Sequence, residues 1–207
     1  MLPSVQDLRR RCQSLAAMDL ILSPEWEYRY FSFNSRWAPG QQMGSMRNGS
    51  GDEWFCLFHQ DGWAGLKGLD HESPAWRKGR ASLSASLQRG VPTALSSFST
   101  EPAFRWDATS FAFYKLGDSS GWIRLNDATE YAAFDAGEVK HLSLLVSPPE
   151  SYALHVADYF EREIDLALVA HLFAQARLTD AIVRSINPDL DLKMVESELF
   201  EDIAYPR

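Results

Sequence analysis

The chain divides by the rhythm of its apolar positions. Between Pro3 and Leu20 they return at helical spacing, with Leu8, Cys12, Leu15 and Ile21 forming one buried stripe. Ser4 stands at the cap, Asp7 lies near the positive end, and Ser23-Pro24 stops the helix. From Glu25 to Phe33 the period becomes two. Trp26, Tyr28 and Tyr30 alternate with Glu27 and Arg29, then Phe31 and Phe33 change sides. This predicts a strand that is bulged, or buried on both faces, toward its end. Asn34 to Gln41, with Pro39-Gly40, reads as a loop, and Trp37 within it as a lid over the core.

The stretch from Gln42 to Trp76 holds the densest mixture of turn residues, aromatics and charges. Residues 43–47, 53–58 and 63–69 read as three strands. They are separated by Asn48-Gly49-Ser50-Gly51-Asp52 and by His59-Gln60-Asp61-Gly62, both rich in turn formers. Gly65 and Gly68 inside the third strand predict a close approach. The neighbour is either an aromatic ring, Trp54 or Trp63, or the backbone of a partner or ligand. Pro74 to Thr100 is less periodic and basic; a short helix over Ala81 to Gln88 is expected, within a flap or an ordinary connection. Thr109 to Leu116 alternates again, Gly117-Asp118-Ser119-Ser120-Gly121 is a turn, and Trp122 to Leu125 pairs back.

Helical texture begins at Thr129. Ser147-Pro148-Pro149-Glu150, Asp165 and Thr179 open successive helices, and a last one carries Leu192, Val195, Leu199 and Ile203. The expected fold is α+β: an antiparallel sheet of five to six strands, an N-terminal helix and a C-terminal helical region packed on it. Residues 1–207 are expected to form one domain, with the helix and sheet in 1–128 and a helical subdomain in 129–207.

A meander of this order places the loops at 47–52 and 70–74 at the same end of the sheet. The expected recognition surface is therefore Arg47, Asp52, Glu53, Asp70, His71 and Glu72, with Trp37 as a further contact. Arg47 and Asp52 are placed to close the first turn as an ion pair. Asp70-His71-Glu72 has the donor types of a metal site. In an extended chain, however, its carboxylates share one face and the imidazole points away, so the three do not chelate one ion unless the chain turns. Capping of loop backbone is the expected role. His155 and His171 fall on separate helices and read as surface or interface residues. No metal and no cofactor are expected.

The strings SMRNGSGDEWF and GLDHESP resemble a group of uncharacterised bacterial proteins of similar length, a likeness that brings no function with it. Over roughly 30 residues, GSGDEWFCLF followed by a turn and GLKGLDHE also resembles the middle of the SUKH superfamily. Many members of that superfamily are bacterial immunity proteins that neutralise nuclease toxins by binding them. The resemblance implies a non-catalytic role and a basic toxin domain as partner. The upstream helical segment with a proline and an aromatic, expected in that superfamily, is replaced here by an aromatic strand.

The formal net charge of −8 argues against binding duplex nucleic acid and suits a basic protein partner. Two cysteines are too few for a disulfide framework. Arg9, Arg10 and Arg11 interrupt any secretory apolar run, and no stretch reaches the roughly 18 apolar residues of a membrane span. A cytoplasmic protein without membrane contact is the expectation. Two further function classes remain open. One is a metal-dependent hydrolase using Asp52, Asp70, His71 and Glu72. The other is a small-molecule binder lined by Trp37, Trp54, Trp63 and Trp76.

Overall fold

A computed structural model describes residues 2–117 and 119–207. Helix α1 (Val5–Leu22) opens the chain, and the Ser4 hydroxyl accepts a hydrogen bond from the Asp7 amide as its cap. Six strands follow: β1 (Phe31–Ala38), β2 (Gln41–Arg47), β3 (Glu53–His59), β4 (Ala64–Leu69), β5 (Phe111–Lys115) and β6 (Ile123–Arg124). They form one sheet in chain order, antiparallel at every pairing. Between β4 and β5 lie α2 (Pro74–Arg89) and the one-turn α3 (Ser96–Ser99). The C-terminal region carries α4 (Glu138–His141), α5 (Ser143–Val146), α6 (Ser151–Tyr159), α7 (Leu166–Phe173), α8 (Asp180–Ile186), α9 (Leu192–Ser197) and a π turn over Glu198–Asp202. The α+β architecture with a six-stranded antiparallel sheet is thus the one expected.

The two faces of the sheet are covered differently. Phe33, Gly44, Cys56, Leu66 and Phe113 stand in register across one face, and α1 packs there with Cys12 against Gly44. Tyr152 of α6 joins the same layer, its ring 6.5 Å from that of Phe31. On the other face Ser45, Phe55, Lys67 and Ala112 are in register. Here the segment between α3 and β5 is the cover: Phe104 stacks on Phe55, with ring centroids 5.0 Å apart. Lys67 is fully buried beneath it and donates to the carbonyls of Phe104 (2.7 Å) and Ala108 (2.9 Å). Burial lowers its pKa to about 8, although Glu53 pulls the other way.

Several local expectations change. Residues 26–28 are a 3-10 turn rather than the start of a strand, and β1 begins at Phe31. Trp26 and Tyr28 are exposed, so no buried face holds their alternation in a sheet. The predicted loop at 34–41 is instead the second half of β1 and the turn into β2, with a register shift between Asn34 and Ala38. Trp37 therefore lies on a strand, where it stacks on Phe104 at 5.9 Å. The helix expected at 81–88 is the second half of α2, whose two halves meet at Arg80 with φ of 41°. Its first half, not expected from the sequence, starts with the Ser73 hydroxyl as cap and Pro74 as the first helical residue. The rings beside the strand glycines are Phe98 and Phe111, not Trp54 or Trp63. The predicted turn at 117–121 includes Asp118, which lies outside the described residues.

Candidate functional site

Two hairpin ends and one distant helix build a polar corner. The turn between β2 and β3 is folded by its own side chains: Asn48 Oδ1 accepts from the amides of Ser50 (2.9 Å) and Asp52 (3.1 Å). Its amide nitrogen donates to Asp52 Oδ2 at 2.8 Å. At the far end of β4, Asp70 Oδ1 accepts from the Glu72 amide at 2.9 Å, and Ser73 closes back on the Asp70 carbonyl. The two loops then meet. Asp52 Oδ1 receives the backbone amide of His71 at 3.0 Å and lies 2.6 Å from its Nδ1.

The third component comes from α4. His141 Nε2 lies 3.1 Å from Asp70 Oδ2 and 3.5 Å from Asp52 Oδ2. The Lys140 ammonium is 3.8 Å from each of those two oxygens. The Trp54 indole donates to the His141 carbonyl at 3.2 Å, which ties α4 to the sheet. Gly137 makes the approach sterically feasible. Its φ is +88°, and a Cβ there would stand 2.2 Å from Asp70 Cβ. Asp52, Asp70 and His141 are all buried. Burial pushes the Asp52 carboxyl up; hydrogen bonds from His71 and Asn48, with the His141 imidazole nearby, outweigh it and hold the group below its ordinary value.

Of the residues singled out from the sequence, Asp52, Asp70 and His71 are brought together. The others are not. Glu53 points to the opposite face, 3.1 Å from Arg105 and 3.9 Å from Lys67. Arg47 makes no ion pair with Asp52; its guanidinium lies over the rings of Trp26 and Phe55. Arg47 and Trp37 share the lining of a separate cavity of about 300 Å³. Glu72 is exposed and pairs with Arg77 at 3.3 Å. The tripeptide 70–72 does not converge on one point: Asp70 turns inward while His71 and Glu72 face outward.

Two members of the corner were missed, Lys140 and His141. No spacing in the sequence links them to Asp70, 71 residues earlier. The only local trace is Gly137, which suits the left-handed start of α4. An aromatic pocket of four tryptophans does not form: Trp54 and Trp63 are buried in the core, while Trp37 stacks elsewhere. His155, expected at the surface or an interface, instead sits in a nest of Tyr30, Phe31, Tyr152, Tyr159 and Phe160. Among the described residues, no helix is long and apolar enough to cross a membrane. In comparisons with known proteins, the chain matches no family model, no curated protein and no solved structure.

Proposed function

We propose that the protein acts by binding another protein, without catalysis, through the corner formed by loops 47–53 and 70–73. The observation that supports this is the Asp52–His71 clasp. One buried carboxylate fastens the backbone of one loop to that of the other, so Gly49, Ser50, Gly51, His71 and Glu72 are presented already ordered at the surface. A recognition surface held in place before contact loses less conformational entropy on binding. The net charge of −8 favours a basic partner. A toxin domain is the concrete form suggested by the SUKH-like segment, which would make the protein immunity-like.

Catalysis by the same residues is less well supported. The Asp52 and Asp70 oxygens are engaged with loop backbone and neighbouring side chains. None of the four cavities described for the fold is lined by Asp52, Asp70, His71 or His141. A substrate would need such a cavity beside the reacting groups.

The test is a binding titration of the purified chain against a panel of basic nuclease toxin domains at two salt concentrations. Tight binding to one of them, weakened by salt and reduced at least tenfold by Glu72→Lys with unchanged thermal stability, is the expected result. Failure to bind any member, or binding indifferent to changes at Ser50 and Glu72, counts against the reading.

A further inference from the structure

We infer that Asp52 Oδ2, Asp70 Oδ2 and His141 Nε2 form a binding site for one first-row divalent cation of the Zn²⁺ or Mn²⁺ type. The three atoms lie within 4.8 Å of one another, on three separate elements of the fold. The imidazole nitrogen is 3.1 and 3.5 Å from the two oxygens. Ligands held at about 2.1 Å from a common ion stand about 3.0–3.4 Å apart, depending on whether the arrangement is octahedral or tetrahedral. The two His141 separations match that spacing, and the two carboxylate oxygens, within 4.8 Å of each other, would close toward the same centre as an ion enters.

The surrounding hydrogen bonds are divided as a metal site requires. Asp52 Oδ1 is occupied by the amide and ring of His71, and Asp70 Oδ1 by the Glu72 amide. Asp52 Oδ2 also accepts from the Asn48 side-chain amide at 2.8 Å, which leaves a second lone pair of that oxygen directed toward His141, as Asp70 Oδ2 is. His141 is itself fixed, its side chain 1% exposed and its carbonyl held by Trp54.

A second observation of a different kind points to the same spot. The Lys140 ammonium lies 3.8 Å from both inward oxygens, beyond hydrogen-bond reach of either, so a positive charge already converges on the gap between them. Its side chain is 64% exposed, free to withdraw into solvent when an ion enters. Two desolvated carboxylates facing one another need such compensation. The donor set of two carboxylates and one imidazole selects Zn²⁺ or Mn²⁺ over Ca²⁺, which prefers an all-oxygen shell.

The site requires no partner protein, so a titration of the chain alone decides it separately from the binding reading. Chelator-treated full-length protein is titrated with ZnCl₂ and with MnCl₂, followed by calorimetry, thermal melting and metal analysis after gel filtration. One ion per chain, a melting temperature raised by several degrees and at least tenfold weaker binding of CaCl₂ are expected. His141→Gln and Asp70→Asn should weaken binding thirtyfold or more. Lys140→Met changes only an exposed side chain, keeps the fold, and should tighten binding severalfold by removing the competing charge. No binding at millimolar metal in the parent chain overturns the inference. So does binding that Lys140→Met leaves unchanged or weakens, or that persists at full affinity in His141→Gln.

Discussion

Asp19 on α1 and His155 on α6 lie 136 residues apart in sequence, yet both pack beside Tyr152, Asp19 buried and His155 half-buried, and they respond to pH in opposite directions. Asp19 accepts from the amides of Tyr30 (2.8 Å) and Phe31 (2.7 Å) and from the Tyr152 hydroxyl. Burial nevertheless dominates and raises its pKa from 3.8 to about 7. Over that window the folded chain keeps a proton that the unfolded chain releases, so this contribution to stability falls as pH rises from about 4 to 7. His155 is the converse. Burial lowers its pKa from 6.5 to about 4, and its Nε2 has no hydrogen-bond partner. The unfolded chain binds the proton there and the folded chain does not, so stability falls as pH drops from 6.5 to 4. Urea unfolding at pH 4.5, 6 and 8 should separate the two. Asp19→Asn removes the loss on raising pH, and His155→Phe, which suits the aromatic nest, removes the loss on lowering it. Neither residue was legible from spacing: an aspartate in the last turns of a helix and a histidine in a later one look like surface positions until Tyr152 joins them.

At the scale of elements, strand β4 shows how much a local pattern reveals. Its two glycines announced a close neighbour, and the neighbour is aromatic: a Cβ at Gly68 would lie 2.2 Å from the Phe111 ring, directly across the strand pair. Gly68→Ala should therefore destabilise by about 1–3 kcal/mol, measured by urea unfolding, because the ring has no room to retreat in a packed layer. The identity of the ring was not legible, since β5 lies beyond an intervening helix and several turns. Alternation also misled at residues 26–28, where an exposed turn repeats the pattern of a half-buried strand. The hairpin ends were the most legible feature. Turn formers fix where a meander reverses, and reversal alone brings Asp52 to His71. The arrival of α4 beside them depends on packing that no short-range rule describes.

For the whole molecule, the C-terminal segment is what fastens the helical layer to the first strand. Arg29 is buried and pairs with Glu198, while also donating to the carbonyls of Ser23 and Pro24. Tyr205 donates to the carbonyls of Leu172 (3.2 Å) and Ala176 (3.0 Å), and Gln13 of α1 reaches the carbonyl of Ile203 (3.0 Å). Farther out, Arg36 pairs with Glu201 and Asp202 in water. Removing the half-buried partner should matter more than removing the exposed ones. Glu198→Ala leaves a buried guanidinium short of its counter-charge and should cost on the order of 2–4 kcal/mol in urea unfolding. Asp202→Ala should cost less than about 1 kcal/mol.

The order of the strands has a temporal side. A chain made from its amino end lays down Asp70 71 residues before His141, and the sheet can close hairpin by hairpin as each strand leaves the ribosome. Through that interval the two carboxylates have the partners in their own loops but lack the imidazole and ammonium that α4 brings. The corner becomes dry only when α4 emerges, so the nascent chain acquires its finished polar surface late, after the β-sheet that carries it.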